Sequence, residues 1–172
     1  MLRFRESVTF LILVFPKPIA MNKTKILMVC LGNICRSPLA EGILRDTLDP
    51  TLFEVASTGT GNWHVGNPPD KRSVAVAKKY GLDISDLRGR QFTSIDYQDF
   101  DHIYVMDSSN LENVLALAET PEDRAKVSMI LDTLFPGERV DVPDPYYGGD
   151  DGFERVYTML DEACDVIKQQ IS

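Results

Sequence analysis

The stretch "ILMVCLGNICRSPLAEGIL", residues 26–44, places an apolar run directly before a glycine-containing loop and a helix-like repeat. The run that ends at Cys30 has the length and apolar character of a buried strand. Apolar residues then recur at helical spacing from Leu39, after Ser37, a favoured N-cap residue, and Pro38, a favoured first helical residue. A strand, a tight loop and a helix in this order predict one unit of a parallel sheet.

The rest of the chain repeats this alternation of strand-like and helix-like segments. Apolar runs predict strands over 25–30, 52–58, 102–107 and 127–134, and helical spacing predicts helices over 37–48, 70–81 and 108–119. A loop rich in proline, aspartate and glycine, residues 136–152, leads to a last helix. Alternation of this kind is typical of an α/β fold in which helices cover both faces of a parallel sheet.

The sequence also predicts the ends of the second helix and the buried face of the last one. Asp70 is a good N-cap for the helix over 70–81, and Gly81 is expected to end it. The apolar residues of the last helix share one face: Phe153, Val156, Leu160, Cys164 and Ile167. We therefore predict that Cys164 is a core residue rather than a reactive thiol.

The composition indicates one domain and limits the class of partner. The chain has 172 residues, 44% of them apolar, which is enough for one well-packed core. Its formal net charge of −8 argues against a nucleic-acid partner, because polyanion binding needs neutralising Lys and Arg. Its three cysteines are too few for a disulfide framework and lack zinc-ligand spacing. We therefore expect a protein of a reducing, cytoplasmic compartment without a cysteine-based zinc site.

The first twenty residues differ from the rest of the chain. Two arginines precede the apolar run 8–15, and prolines follow it. The run is too short to span a bilayer, which takes about 20 apolar residues, so we expect no stable membrane insertion. We predict that residues 1–20 form an extension outside a single domain over 23–172, arising from an upstream start codon before Met21. A weak secretory signal is the less favoured alternative, because Pro18 makes a poor cleavage site.

The loop over 30–37 is predicted to lie beyond the carboxyl end of a strand, where open parallel sheets bind ligands. Gly32 and Asn33 both tolerate the positive φ angles of a tight turn. Backbone N–H groups of such a turn, with the helix dipole behind them, converge on a dianion such as phosphate. The same field stabilises a thiolate at Cys30, and the guanidinium of Arg36 can grip two phosphoryl oxygens. The loop therefore predicts a nucleophile, a phosphate cradle and a cationic clamp in one turn.

Cleavage of a phosphate ester also needs a proton donor for the leaving oxygen. The loop over 136–152 offers four aspartates, and the residues alone leave the choice open: Asp141, Asp144, Asp150 and Asp151. Asp144 is the best candidate because Pro143 and Pro145 stiffen the backbone around it. Two tyrosines follow it as walls for an aromatic substrate. We expect the neighbouring acids and the thiolate to keep Asp144 protonated as a general acid.

Five segments of the chain resemble, in order, the low-molecular-weight protein tyrosine phosphatases. They are "VCLGNICRSPLAEG" at 29–42, "WHVGNPPD" at 63–70, "GRQFT" at 89–93, "MDSSNL" at 106–111 and "DPYYG" at 144–148. The resemblance extends from Thr24 to about Ile171. It implies a three-layer α/β fold of the phosphotyrosine phosphatase I type, with a four-stranded parallel sheet and helices on both faces. It also implies metal-free hydrolysis of protein phosphotyrosine and small aryl phosphates through a phosphocysteine intermediate.

The resemblance also assigns a role to each part of the site. Cys30 is the nucleophile, and Asp144 protonates the leaving group and then activates water. Phosphate is bound by the guanidinium and loop amides of Leu31, Gly32, Asn33, Ile34, Cys35, Arg36 and Ser37. The rim that receives the phosphotyrosine ring consists of Trp63, Tyr146 and Tyr147. The loop is supported by Asn33, Ser37 and Ser57, and Ser37 hydrogen-bonds the thiolate.

One position departs from the family pattern. Many members carry a histidine where this chain has Leu87, and that histidine supports the loop asparagine. The resemblance therefore implies that Asn33 is held less rigidly and that activity is reduced. Cys35 matches a second loop cysteine that pairs with the nucleophile under oxidation, which implies a reversible protection of Cys30 against peroxide.

Three other functions fit parts of the pattern. Related protein arginine phosphatases usually carry Thr where this loop has Ile34, and the larger apolar side chain favours phosphotyrosine. Thioredoxin-coupled arsenate reductases need further cysteines, and none lies between Cys35 and Cys164. A non-catalytic phosphopeptide-binding module would be expected to lack Cys30 or Asp144. The expected partner is a phosphotyrosine protein, which for bacterial members is often a tyrosine autokinase.

Overall fold

Four parallel strands form the central sheet of the computed structural model, which describes residues 22–172. The strands are β1 (Thr24–Cys30), β2 (Phe53–Gly59), β3 (His102–Val105) and β4 (Val127–Met129). Their order across the sheet is β2-β1-β3-β4, so β1 is paired on both sides. Met28, for example, pairs with Ser57 of β2 and with Tyr104 of β3. The four-stranded parallel sheet is confirmed.

Helices cover both faces of this sheet, as the alternation of segments predicted. They are α1 (Arg36–Thr47), α2 (Lys71–Lys79), α3 (Asp96–Asp99), α4 (Ser108–Leu115), α5 (Pro121–Ala125) and α6 (Asp150–Ile171), with a 3-10 helix at Ile130–Thr133. Side chains alternate along β1 between two apolar cores. Ile26 and Met28 pack in the core with α1, α2 and α6, whereas Leu27 and Val29 pack in the core with α3 and α4. The two cores separate three layers.

Two local boundaries differ from the sequence prediction. The fourth strand, predicted over 127–134, has only three residues and continues as the 3-10 helix. Ile130 and Leu131 are nevertheless buried, because the 3-10 turn packs them in the core with α6. An apolar run this short has no period that distinguishes a strand from a buried turn. The helix predicted over 108–119 ends at Leu115.

Two helices begin in different ways. Asp70 caps α2 as predicted, since its side chain accepts a hydrogen bond from the backbone N–H of Arg72 at 2.8 Å. The prediction that Ser37 caps α1 is wrong, because α1 begins at Arg36 and Ser37 lies inside its first turn. The Ser37 hydroxyl instead donates to the backbone O of Thr58, at 3.2 Å. Its side chain therefore joins α1 to β2 rather than capping the helix.

The apolar face predicted for the last helix is confirmed in α6. Its five apolar residues are all buried: Phe153, Val156, Leu160, Cys164 and Ile167. The sulfur of Cys164 lies beside α1, 3.8 Å from the backbone O of Ala40. Burial raises the pKa of the Cys164 thiol, so it stays neutral. Cys164 is a core residue, as predicted.

Three further expectations concern membrane insertion, the end of α2 and the first twenty residues. None of the helices between residues 22 and 172 is both long enough and apolar enough to cross a bilayer. Gly81 follows the end of α2 with a φ of +82°, the left-handed conformation predicted for a helix stop. The extension predicted over 1–20 lies outside the described residues.

Candidate active site

The loop between β1 and α1 forms a tight turn around the sulfur of Cys30. Asn33 adopts a φ of +56°, the left-handed conformation that its sequence context predicted. The turn directs the backbone N–H of Asn33 at Cys30 Sγ, 3.2 Å away. Residues 31–35 thereby lie at the N-terminus of α1, where unpaired N–H groups and the helix dipole favour an anion.

The hydroxyl of Ser37 connects the sulfur to the sheet. Ser37 Oγ lies 3.0 Å from Cys30 Sγ and accepts a hydrogen bond from Asn33 Nδ2 at 2.9 Å. A hydroxyl has one proton, so Ser37 donates either to Thr58 O or to the sulfur, but not to both. A Cys30 thiol can donate a hydrogen bond to Ser37 Oγ. A Cys30 thiolate can instead accept a hydrogen bond from the Ser37 hydroxyl, which then no longer donates to Thr58 O. The same hydroxyl therefore solvates the sulfur in both protonation states.

Three hydrogen bonds hold the side-chain amide of Asn33. Its Nδ2 donates to Ser37 Oγ and to Ser57 Oγ, both at 2.9 Å. Its Oδ1 accepts from the backbone N–H of Arg90, also at 2.9 Å. Leu87, which stands in place of the family histidine, packs against the core instead. Both amide protons and the amide oxygen of Asn33 are therefore bonded without a polar side chain at position 87.

Glu41 extends this network, and the sequence reasoning missed it. This buried carboxylate of α1 accepts from Ser57 Oγ at 2.6 Å and from Arg45 Nη1 at 3.3 Å. Burial raises the pKa of Glu41 above its ordinary value of 4.5, and the bonds from Ser57 and Arg45 reduce this rise. Glu41 lies three residues before Leu44 and seven before Leu48, which places the three residues on one face of a helix. This spacing was the available sign that Glu41 faces the interior.

Arg36 is buried beside the loop and is held by an acid that the sequence reasoning also missed. The side chain of Arg36 is 3% exposed, and its Nη1 donates to Asp107 Oδ2 at 2.6 Å and to the backbone O of Val142 at 3.0 Å. Burial lowers its pKa, but Cys30, Asp107 and Asp144 outweigh burial and raise the pKa overall. The guanidinium therefore stays charged. The place of Asp107 two residues after β3, at the carboxyl edge of the sheet, was the available signal.

Asp144 is the acid of the loop over 136–152 that reaches the cleft. Its Oδ2 lies 3.6 Å from Arg36 Nη2, so the carboxyl faces the guanidinium. Its Oδ1 accepts from the backbone N–H of Tyr146 at 3.0 Å, which fixes the side chain in a local turn. The prolines on either side and this bond together hold the carboxyl in place.

The other three acids of this loop have different positions. Asp141 accepts from the backbone N–H and the hydroxyl of Ser108, at 2.8 and 2.9 Å. Asp150 and Asp151 form the first turn of α6. Among residues 22–172, no group of three or more His, Cys, Asp or Glu is arranged to hold a metal ion. Of these four aspartates, Asp144 is the one that lines the cleft beside Cys30 and Arg36.

A cleft of about 320 Å³ opens beside these groups. Cys30, Arg36 and Asp144 all line it. The three predicted rim residues, Trp63, Tyr146 and Tyr147, line it as well and are exposed. A cleft of this size with aromatic walls and a few convergent polar groups is typical of a small-ligand site.

Two glycines of the site lie where a Cβ would come close to neighbouring atoms. His64, for which we predicted no role, lines the cleft, and a Cβ on Gly32 would lie 3.1 Å from the His64 Cδ2. A Cβ on Gly59, at the end of β2, would lie 2.7 Å from the backbone O of Leu31. Glycine at these positions lets the imidazole and the end of β2 close on the loop.

Cys35 lies in the same loop but is a buried thiol. Burial raises its pKa to about 12, and the negative charges of Asp70, Cys30 and Asp144 add to the rise. The hydroxyl of Ser73 donates to the backbone O of Cys35 at 3.3 Å. Cys35 is therefore neutral near neutral pH and not itself an anionic nucleophile.

Comparison with known proteins agrees with this geometry. The sequence profile of the family described as "Low molecular weight phosphotyrosine protein phosphatase" matches residues 25–172. The chain belongs to this family. The low molecular weight phosphotyrosine protein phosphatase of Schizosaccharomyces pombe is 44% identical over 141 residues, which are 79% of this chain and 89% of that relative.

Solved structures of low-molecular-weight phosphatases share the fold. A protein tyrosine phosphatase from Entamoeba histolytica superposes with a TM-score of 0.81 and 34% identity, covering 87% of this chain and 97% of its own. A Drosophila arginine phosphatase superposes with a TM-score of 0.76 and 34% identity, covering 86% of this chain and 97% of its own. Two substrate classes are thus named among the structural neighbours of this phosphatase chain.

Glu41→Gln tests the buried part of the Asn33 network. Because folding raises the pKa of Glu41, its ionisation destabilises the folded state fully above the raised pKa and not at all below the ordinary 4.5. The free energy of unfolding of the wild type, relative to that of Glu41→Gln, should therefore rise as the pH is lowered from neutrality toward 4.5 and then level off. Urea unfolding at several pH values measures this difference.

Glu54→Gln is the control for the change in net charge, because it removes an exposed carboxylate from β2. A difference between wild type and Glu41→Gln that stays constant from neutral pH to 4.5 would show that Glu41 is not perturbed by burial.

Proposed function

We propose that the protein hydrolyses phosphotyrosine in proteins, and small aryl phosphates, through a phosphocysteine intermediate. One observation carries this proposal: Cys30 and Arg36, at the two ends of the loop after β1, and Asp144 of a distant loop line one cleft with an aromatic rim. Membership of the family supports the same chemistry. The phosphate would lie over the N-terminus of α1, with the substrate ring between Trp63 and Tyr146.

The first step transfers the phosphoryl group to sulfur. Arg36 and the backbone N–H groups of residues 31–36 neutralise the phosphate, so that the anionic sulfur of Cys30 can approach the phosphorus. The S–P bond forms as the bond from phosphorus to the phenolic oxygen breaks, and Asp144 gives its proton to that oxygen. Asp107 holds Arg36 at 2.6 Å, so the guanidinium is oriented before the substrate binds.

The second step returns the sulfur to its starting state. Asp144, now a carboxylate, takes a proton from a water molecule as the water oxygen attacks the phosphorus. The S–P bond breaks, inorganic phosphate leaves, and the Ser37 hydroxyl, 3.0 Å from the sulfur, again solvates the thiolate. Since Arg36 and the loop amides carry the phosphate charge, the proposed steps involve no metal ion.

Hydrolysis of a protein arginine phosphate is the second candidate function. It is favoured by the structural neighbour that is named as an arginine phosphatase. Ile34 lines the cleft in this chain, and its apolar side chain favours an aromatic ring over a charged guanidinium. We therefore rank phosphotyrosine first.

We further propose that the protein acts in the cytoplasm on phosphotyrosine proteins, of which a tyrosine autokinase is one. Two facts support this location and substrate class. All three cysteines are unpaired, which suits a reducing compartment. The wide, aromatic-rimmed cleft is open enough for a tyrosine side chain on a protein surface. Release of phosphate from a purified, autophosphorylated tyrosine kinase tests the substrate class directly.

Phosphate release in the presence of a chelator, from a phosphotyrosine peptide and from phosphoarginine, tests the proposed chemistry. We expect the wild type to prefer the tyrosine ester and Cys30→Ser to lack turnover of either compound. Asp144→Asn should lower kcat by about 10²–10⁴-fold for phenyl phosphate, because the phenolate then leaves without a proton. The loss should be smaller for 4-nitrophenyl phosphate, whose leaving group needs less protonation.

Asp151→Asn is the matched control, since it changes an exposed aspartate in the first turn of α6 outside the cleft. Turnover that persists in Cys30→Ser, or that is lost on chelation, would exclude the phosphocysteine route. A preference for phosphoarginine would reverse the ranking of the two functions.

The neighbouring thiol gives a proposal about oxidation. Peroxide would convert the Cys30 thiolate to a sulfenic acid. The Cys35 sulfur would then attack the Cys30 sulfur as the thiol proton passes to the departing hydroxide, so that water leaves and a disulfide forms that a dithiol can reduce. In Cys35→Ala the sulfenic acid lacks this partner and proceeds to the irreversible sulfinic acid.

We expect dithiothreitol to restore most activity to the peroxide-treated wild type and little to Cys35→Ala, measured by aryl phosphate turnover. Cys164→Ser should recover like the wild type, and equal recovery in Cys35→Ala would remove the protective role.

A further inference from the structure

A second cleft lies beside the catalytic cleft. It has a volume of about 370 Å³ and shares two walls, Leu31 and Trp63, with the catalytic cleft. Its other walls include Gln91 and Phe92, from the segment before α3, and Leu117, from the turn after α4. The steps of the proposed reaction use none of these three residues. The second cleft therefore needs an explanation of its own.

Trp63 forms the partition between the two clefts. A Cβ on Gly61 would lie 1.9 Å from Cζ3 of the indole, so the ring lies against the backbone of Gly61. Gly61 in turn donates its N–H to the backbone O of Leu31, at 2.9 Å. The partition is thus tied to the phosphate loop although Trp63 is 68% exposed. A substrate ring in the first cleft and a side chain in the second would contact the same indole.

The walls of the second cleft combine apolar side chains with three uncharged polar ones, Thr60, Gln91 and Asn113. Leu31 and Leu117, which are 40% and 45% exposed, lie beside the buried ring of Phe92. Exposed apolar side chains that share a concave surface are typical of a binding site. Within the part of the chain that the structure describes, no charged side chain lines this cleft.

Polar groups at its margin suit a peptide backbone. Gln91 Nε2 donates to the backbone O of Thr60 at 3.3 Å, which orients the side chain. Its Oε1 can then accept a hydrogen bond from a peptide N–H. An apolar floor with a polar margin is the arrangement that binds one side chain of an extended peptide.

We propose that this cleft is a substrate subsite that binds the apolar side chain of a residue flanking the phosphotyrosine. The assignment rests on the proposed hydrolysis of phosphotyrosine, because it takes the position of the substrate ring as given. The position of the second cleft next to the catalytic cleft indicates what binds there. A substrate bound at Cys30 carries its neighbouring residues across the rim and over Trp63.

Charge distinguishes the preferred flanking residue. The formal net charge of −8 and the carboxylates of Asp107 and Asp144 beside the catalytic cleft disfavour acidic flanking residues. An uncharged apolar cleft adds no compensating cation for such residues. The preferred substrate is therefore a phosphotyrosine segment with Leu, Ile, Met or Phe close to the phosphorylated residue.

Phosphotyrosine peptides that differ only in their flanking residues test this subsite. One peptide carries leucine at the flanking positions, one glycine and one aspartate, and 4-nitrophenyl phosphate serves as a substrate without flanks. We expect kcat/KM of the wild type to be about 10-fold or more higher for the leucine peptide than for the glycine peptide, the discrimination that an apolar pocket supplies. The aspartate peptide should be the slowest of the three.

Leu117→Asp places a charge in the second cleft, away from Cys30, Arg36 and Asp144. The preference for leucine over glycine should disappear in this variant, while kcat/KM for 4-nitrophenyl phosphate stays unchanged. Leu52→Asp is the matched control, because Leu52 is 43% exposed and does not line the cleft. It adds the same charge and should keep the preference. Leu117→Ala, which shortens the side chain without adding a charge, should lower the preference partly.

The outcomes separate the subsite from the proposed function. Equal rates for the leucine and glycine peptides in the wild type, with normal turnover of 4-nitrophenyl phosphate, would overturn the subsite and leave the hydrolysis intact. So would an equal loss of preference in Leu52→Asp. If the wild type turns over no ester, the proposed function fails, and calorimetry with phosphonate analogues of the peptides decides on the subsite: tighter binding of the leucine peptide supports it, and equal binding overturns it.

Discussion

The φ of +56° at Asn33 is the constraint on which the rest of the site depends. A residue other than glycine in this region costs about 1–3 kcal/mol unless its surroundings hold it, and asparagine tolerates it better than most. Here the side-chain amide of Asn33 donates to Ser37 and Ser57 and accepts from the backbone N–H of Arg90. The turn in consequence aims the Asn33 N–H at the sulfur of Cys30. The loop is therefore shaped for an anion before any substrate binds.

The parallel sheet brings the remaining groups to the same edge. β1 ends at Cys30, and Asp107, which orients Arg36, lies two residues beyond the end of β3. The segment that carries Asp144 is anchored to the end of β3, because the N–H of Val142 donates to the backbone O of Met106 at 2.8 Å. Cys30 and Arg36 lie at the two ends of the loop that follows β1, whereas Asp107 and Asp144 come from later segments of the chain. These segments meet because the parallel strands end at the same edge of the sheet.

The sequence predicted the parts of the site that lie within one segment. The turn at Asn33 follows from residue type and spacing, and Asp144 is distinguished by the prolines on either side. Contacts between distant segments were missed, notably Asp107 with Arg36, because a local pattern does not record which side chains meet. Position 87 shows the same limit: a leucine there predicted a loose loop, whereas the side-chain amide of Asn33 is bonded by Ser37, Ser57 and the backbone N–H of Arg90.

The dissociation constant of inorganic phosphate for Asn33→Gly, measured by calorimetry beside the wild type and Asn33→Ala, tests this account most directly. Glycine adopts the left-handed conformation freely but removes all three amide hydrogen bonds. If each bond contributes about 0.5–1.5 kcal/mol to the shape of the loop, Asn33→Gly should bind phosphate about 10-fold or more weakly than the wild type. Wild-type affinity in Asn33→Gly, with a loss in Asn33→Ala, would contradict the account, because the backbone conformation alone would then suffice.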